Sequence, residues 1–138
     1  MRVKELMQPS VEWCAPETSV VELARMMRDD DIGAIPIADE DRLIGMVTDR
    51  DITLRATAEA RDPQSCTAKD VMTDSIDYCF EDAGIEEAAN IMKSHLVRRL
   101  PVINQDKRLV GMITVGDITG ASPELAGETL KALSAIGS

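Results

Sequence analysis

Two stretches carry a glycine, a threonine and an aspartate at one spacing. Gly45-Met-Val-Thr48-Asp-Arg-Asp51 lies inside LIGMVTDRDI, and Gly111-Met-Ile-Thr114-Val-Gly-Asp117 lies inside LVGMITVGDI. The ten-residue stretches begin at Leu43 and Leu109, and six of their ten positions are identical. A glycine within a strand often marks a place where another group comes close to the backbone. A threonine at the strand's end supplies a hydroxyl, and an aspartate three residues on lies in a first helical turn, where a carboxylate is favoured. Free N–H groups in that turn can face an anion, the hydroxyl can join them, and the acid can accept from a diol such as ribose. This makes a nucleotide cleft chemically reasonable. The same Thr-x-x-Asp also makes an ordinary helix cap with a first-turn acid, and the spacing alone leaves both readings open.

The elements that would position these residues are themselves repeated. Residues 3–27 align with 68–92 at an offset of 65: Met7 falls on Met72, Val11 on Ile76, Cys14 on Cys79 and Met27 on Met92. Past one extra residue in a polar turn of the second copy, the offset becomes 66. A turn is where a hairpin accepts an insertion. The short alternating runs SVEW and SIDY read as first strands. Val20, Leu23, Ala24 and Met27 recur at helical spacing, as do Ile85, Ala88, Ala89 and Met92 in the second copy. Thr18 or Ser19 can cap the first of these helices, with Glu22 as a capping-box partner. AIPIA and LIGMVT flank the turn DEDR, and LPVI and LVGMIT flank NQDK, so each copy carries a hairpin. Each unit therefore reads strand–helix–strand–strand–helix, and one such unit cannot cover its own apolar face. The expected division is a first module over 1–60, a linker over 61–67, a second module over 68–121 and a C-terminal helix over 122–138. That last helix has Ser122 as cap and Ala126, Leu130 and Leu133 as its apolar face.

Bulk chemistry narrows the function. Twenty-five acids against 15 Lys and Arg give a formal charge of −10, which disfavours nucleic acid and anionic membrane as partners. No signal peptide or membrane span is visible, and three scattered cysteines without a CxxC pair read first as reduced thiols, with one disulfide left open by the sequence, so a cytoplasmic protein is expected. His95 is the only histidine. No zinc-type spacing, nucleophile elbow, Walker loop or dinucleotide fingerprint occurs, so neither a metal site nor an enzyme is expected.

The chain resembles a tandem pair of CBS domains, the modules named after cystathionine β-synthase. The resemblance is carried by ARMMRDDDIGAIPIADEDRLIGMVTDRDI and ANIMKSHLVRRLPVINQDKRLVGMITVGDI, and it covers all but the linker and tail. Within the family it is similar to small stand-alone bacterial CBS-pair proteins, some of them connected with hypoxia or stress. The resemblance implies an α/β (α+β) fold: two β-α-β-β-α modules about a pseudo-twofold axis, pairing into a homodimeric disc. It also implies regulatory binding of AMP, ADP, ATP or an S-adenosyl compound in clefts between modules, with the signal passed to an unknown regulated protein. Asp51 and Asp117 inherit the ribose contact, and Thr48 and Thr114 the phosphate. Ile32 and Gly33, and their counterparts Val97 and Arg98, would line the clefts. Val11, Trp13, Ile76 and Tyr78 would pack the base. The copies differ where DDDIG (Asp29–Gly33) replaces SHLVR (Ser94–Arg98), so the two sites are not expected to bind alike. The alternative is a dimeric interaction scaffold of the same fold whose clefts stay empty.

Overall fold

The structure, a computed structural model, describes residues 1–134. Its α-helices are α1 (Val3–Leu6), α2 (Val20–Asp30), α3 (Asp49–Ile52), α4 (Ala68–Val71), α5 (Ile85–His95), α6 (Val115–Thr119) and α7 (Pro123–Ser134). Its strands are β1 (Gln8–Pro9), β2 (Ala34–Asp39), β3 (Arg42–Thr48), β4 (Cys79–Phe80), β5 (Arg99–Ile103) and β6 (Leu109–Thr114), and a π-helical turn, Thr53–Thr57, continues α3.

Both hairpins form where the apolar runs place them. In β2–β3, Ile37 pairs with Gly45, and in β5–β6, Val102 pairs with Gly111; each hairpin carries a bulge at the next residue. The first closes on Glu40 and Asp41, both at positive φ, a two-residue turn whose twist matches the strands. The second needs five residues, and Asn104 Oδ1 organises it by accepting the N–H groups of Asp106 and Arg108 at 3.0 Å. The extra residue of the second copy is thus absorbed in this loop.

The chain folds as two compact units, Glu12–Ile76 and Met1–Val11 with Asp77–Ser138. These do not follow the sequence division at 60 and 68, which tracks the repeat. Each unit takes its opening segment from the other copy. In the unit built on Asp77–Ser138, Met1 supplies the carbonyl that accepts the Ile85 N–H at the start of α5. In the unit Glu12–Ile76, Cys66 and Pro63 supply carbonyls to the first N–H groups of α2, from Val20 and Val21. A helix start leaves such donors unmatched within the helix, so the expected linker is a structural cap.

The expected first strands are not where SVEW and SIDY put them. Pairing begins later, at a single bridge from Cys14 to Ile37 and at β4, which runs parallel to β5 through Cys79 and Val102. Val11–Trp13 and Ile76–Tyr78 lie outside the ladders. In the second unit of sequence the sheet order is β1-β6-β5-β4, and Thr73 and Cys14 play the edge roles beside β3 and β2 in the first.

Helix α2 is capped by Ser19, whose Oγ accepts the Glu22 N–H at 3.2 Å. It buries Val20, Leu23 and Met27 over Ile35, Ile37 and Val47. Its equivalent α5 buries Ile85, Ala88, Ala89 and Met92. Ala24 departs from expectation: it is exposed, while its counterpart Ala89 is fully buried. The difference is α7, which packs on α5 and α6 and brings Ala126, Leu125 and Leu133 into that core. Ser122 caps α7 as expected, through the Leu125 N–H. Leu130, expected on the buried face, is 41% exposed, and Thr129 takes the inward position, its hydroxyl donating to the Leu125 carbonyl. The expected tail of this helix, residues 135–138, lies outside the described residues.

Candidate functional site

The Thr-x-x-Asp turns are the same construction built twice. Where β3 ends, the Asp51 N–H donates to Thr48 Oγ1 at 3.1 Å and the Thr48 N–H donates to Asp51 Oδ2 at 2.9 Å. Where β6 ends, the Asp117 N–H donates to Thr114 Oγ1 at 3.2 Å and the Thr114 N–H donates to Asp117 Oδ2 at 2.9 Å. Each pair is a reciprocal capping box that satisfies two helix-start donors. In both, one carboxylate oxygen, Oδ1, is left outside the box.

The residue before each hairpin is tied to the same turn. The Asp49 N–H donates to the Gly33 carbonyl, and the Val115 N–H donates to the Arg98 carbonyl, both at 3.0 Å. Gly33 thus joins Thr48 and Asp51 within one unit, and Arg98 joins Thr114 and Asp117 within the other. Ile32 and Val97 are half-buried just upstream, their N–H groups donating back to Met27 and Met92 at the ends of α2 and α5. Asp31 and Leu96 make these exits in the left-handed conformation.

The two turns differ in charge. The Asp49 carboxylate stands over Gly33: a Cβ there would lie 3.3 Å from Asp49 Oδ2. The first turn therefore carries two acids, Asp49 and Asp51, close to the chain's Gly33. The second has buried Val115 in place of Asp49 and exposed Arg98 in place of Gly33. The first turn is therefore the more acidic of the two.

The residues expected against a base are arranged less tightly. Val11 and Tyr78 belong to one unit, and Trp13 and Ile76 to the other. Val11 and Ile76 are half-buried, and Trp13 and Tyr78 are exposed at 37% and 40%. Tyr78 meets Phe80 edge-on, with ring centroids 5.8 Å apart. No hydrogen bond or ring contact among the described residues links these four to the Thr–Asp turns.

Two neighbours escaped the sequence reading. Gln8 Nε2 lies 3.5 Å from Asp117 Oδ1, a long contact that lends a donor to the second turn. Its repeat counterpart is Thr73, so the difference was visible in the alignment, but only the fold brings residue 8 beside residue 117. Asp49 is the other; its departure from Val115 was its only signal.

The repeated glycines have a purpose that involves no ligand. A Cβ on Gly45 would meet Met72 Sδ at 2.6 Å and the Thr73 carbonyl oxygen at 3.1 Å. On Gly111 it would meet Met7 Sδ and the Gln8 carbonyl oxygen, both at 2.7 Å. What approaches each strand is the opening arm of the other repeat copy, which explains why methionine and glycine are both repeated.

The cysteines are free thiols. Burial, aided by Glu87, pushes the Cys79 thiol up to about 12, and burial with Glu12 and Glu22 raises that of Cys14 as well. Such thiols are poor nucleophiles and ligands at neutral pH. Among the described residues no three His, Cys, Asp or Glu side chains converge to hold a metal ion, and no helix is long and apolar enough to cross a membrane.

Comparison with known proteins agrees with this architecture. Residues 3–56 and 68–124 match the CBS domain, a regulatory, non-catalytic module. Hypoxic response protein 1 of Mycobacterium tuberculosis is 43% identical over 124 residues, covering 89% of this chain and 86% of that protein. Its crystal structure, with two coordinated zinc ions, superposes with a TM-score of 0.81 over 88% of this chain and 99% of that one, at 41% identity. CBSX2 in complex with AMP gives a TM-score of 0.77 at 25% identity, covering 90% and 97% of the two chains. The CBS-domain pair of MJ0100, in complex with 5-methylthioadenosine and S-adenosyl-L-methionine, gives 0.75 at 25% identity, covering 88% and 98%.

Proposed function

We propose that this chain, which belongs to the CBS-domain family, is a regulatory module that senses an adenosine-containing compound and passes the signal to a partner protein. The observation that carries this reading is the Thr-x-x-Asp turn, built twice with the same hydrogen bonds and the same tie to the residue before the hairpin. Support comes from relatives of the same fold solved with AMP and with S-adenosyl-L-methionine. On this reading the Oδ1 of Asp51 or Asp117, which lies outside the capping box, accepts from the ribose hydroxyls, and Thr48 or Thr114 lies near the phosphate. Ile32, Gly33, Val97 and Arg98 border the ligand, and Val11, Trp13, Ile76 and Tyr78 are available to the base. Phosphate-bearing ligands favour the Thr114–Asp117 turn, because Arg98 offers a guanidinium there and Asp49 opposes charge at the other. The assembly is a homodimer, tested by sedimentation equilibrium; a species of 15.1 kDa alone at micromolar concentration would refute it.

Calorimetric titration with AMP, ADP, ATP and S-adenosylmethionine tests the ligand. Asp117→Ala should weaken binding roughly 10- to 100-fold, the loss of a charge-assisted hydrogen bond of about 1.5–3 kcal/mol. Asp117→Asn should cost less, since an amide oxygen still accepts. Arg98→Ala should weaken ATP and ADP more than adenosine. Unchanged affinity in all three folded variants would rule out this assignment of residues.

One observation favours a second reading, a non-binding interaction scaffold. Thr48, Thr114 and one oxygen of each aspartate are already engaged in caps, which folding alone would maintain. Absence of binding by all four compounds would establish that reading.

A further inference from the structure

One side chain beside the second Thr–Asp turn has no equivalent beside the first. Gln8 is exposed, and its Nε2 lies 3.5 Å from Asp117 Oδ1. The backbone holds it in place. Gln8 pairs with Met112 and Pro9 with Gly111, and the Gln8 carbonyl oxygen is one of the two atoms that a Cβ on Gly111 would meet at 2.7 Å. Pro9 adds to this, because a residue that precedes proline is confined to extended backbone. Gln8 and Asp117 belong to the same compact unit.

The other copy repeats the backbone and changes the side chain. Thr73 is the counterpart of Gln8, and it bridges Met46, the counterpart of Met112, through backbone hydrogen bonds of 3.0 and 2.9 Å. Its hydroxyl is carried on Cβ, much nearer the backbone than the amide of a glutamine. Among the described residues no hydrogen bond joins Thr73 to Asp51.

Asp117 has only part of its carboxylate to give. Oδ2 accepts the Thr114 N–H at 2.9 Å, which leaves Oδ1 for a ligand. A ribose offers two neighbouring hydroxyls, and one of them can donate to Oδ1. The other needs a partner of its own. A side-chain amide supplies it, since it carries two N–H donors and a carbonyl acceptor. At 3.5 Å the contact of Gln8 with Asp117 is longer than an ordinary N–H···O bond of about 2.9–3.0 Å, so little is lost when a ligand replaces it. It sets an acceptor and a donor side by side. Two adjacent hydroxyls fit that pair when one donates to Oδ1 and the next accepts from Nε2.

We infer that Gln8 is a specificity-determining residue of the Thr114–Asp117 turn, meeting one hydroxyl of a vicinal diol while Asp117 takes the other. That turn then selects ribose over 2′- and 3′-deoxyribose, and the Asp51 turn, with Thr73 beside it, selects ribose less. This rests on the proposal that the turn binds an adenosine-containing compound, and it adds which side chains read the sugar.

The test is calorimetric titration of the full chain with AMP, 2′-deoxy-AMP and 3′-deoxy-AMP, repeated in an Asp51→Ala background so that the second turn is read alone. In that background Gln8→Ala should weaken AMP about 3- to 10-fold. It should leave unchanged the affinity for whichever deoxynucleotide lacks the hydroxyl that Gln8 meets, so the two losses do not add. Gln8→Thr, which installs the residue of the other copy, should behave like Gln8→Ala. Thermal melting checks that each variant is folded. Equal weakening of all three nucleotides by Gln8→Ala would overturn the inference, reducing Gln8 to a structural part of the β1 arm. Unchanged AMP affinity would overturn it as well. So would tighter AMP binding, which would mean that Gln8 competes with the ribose for Asp117. Binding by the unmodified chain that Asp51→Ala abolishes would also overturn it, by giving the ligand to the other turn. These four outcomes leave the nucleotide proposal standing, because AMP binds in each; an unmodified chain that does not bind AMP, ADP, ATP or S-adenosylmethionine would remove both.

Discussion

Gly111→Ala should be among the most damaging single-atom additions the chain can receive. The new Cβ would sit 2.7 Å from the Gln8 carbonyl oxygen and 2.7 Å from Met7 Sδ. The thioether can swing aside, but the carbonyl belongs to backbone paired with β6 at Gln8–Met112 and Pro9–Gly111. Relief therefore requires the β1 arm to move by about half an ångström, an overpacking cost of about 2–3 kcal/mol. Replacing glycine returns about 0.5–1 kcal/mol by restricting the unfolded chain. The net loss is then about 1–2.5 kcal/mol, a fall in Tm of roughly 3–10 °C for a chain of this size. Gly45→Ala is the internal control. There the nearest atom is the mobile Met72 Sδ at 2.6 Å, and the Thr73 carbonyl oxygen stands back at 3.1 Å. Its net cost should be smaller, about 0.5–1.5 kcal/mol. Urea unfolding with both the midpoint and the slope measured is the assay, because the slope reports whether two-state behaviour survives. Removing the sulfur in the double variants Met7→Ala/Gly111→Ala and Met72→Ala/Gly45→Ala should restore more of the loss at 45 than at 111. Parental stability in Gly111→Ala, or a larger loss at 45 than at 111, would refute the packing argument.

Thr48→Ala and Thr114→Ala should each lower stability by about 1 kcal/mol through loss of a helix cap, measured by the same unfolding curves, whether or not a ligand binds. Leu130→Glu on the exposed side of α7 should stay within about 0.5 kcal/mol of the parent, whereas Leu100→Ala, in the core, should cost about 2–5 kcal/mol. Cys79 should resist iodoacetamide in the native state at pH 8 and react on unfolding, read by mass spectrometry of the modified peptide. Its thiol is held up to about 12 in the folded chain against an ordinary 9.0. The unfolded chain therefore loses that proton first, and stability should decline as pH rises from about 9 towards 12. Cys79→Ala should flatten this alkaline decline.

The sequence by itself determined the repeat, and with it the paired helices, the paired hairpins and the equivalence of Thr48–Asp51 with Thr114–Asp117. These are local patterns: apolar residues at strand and helix periods, polar turns between them, and a cap that needs only residues three apart. Its resemblance to CBS pairs rested on the same stretches and proved correct as to family. What it could not determine was which copy packs with which. The arm Met1–Val11 completes the unit of Asp77–Ser138, and residues 66–76 complete the other. Both arms carry the same pattern, with Lys4, Met7 and Ser10 matching Lys69, Met72 and Ser75, so either pairing satisfies it. The strand glycines suggested a close approach without identifying Met7 and Met72 as the approaching groups. SVEW and SIDY alternate like strands, but ladder bonds form only where a neighbouring strand is in register, and that falls at Cys14 and Cys79. Ala24 and Ala89 are the sharpest case. Each lies on a helical apolar face, yet one is exposed and the other buried, because burial depends on whether a second helix arrives and only α5 receives α7.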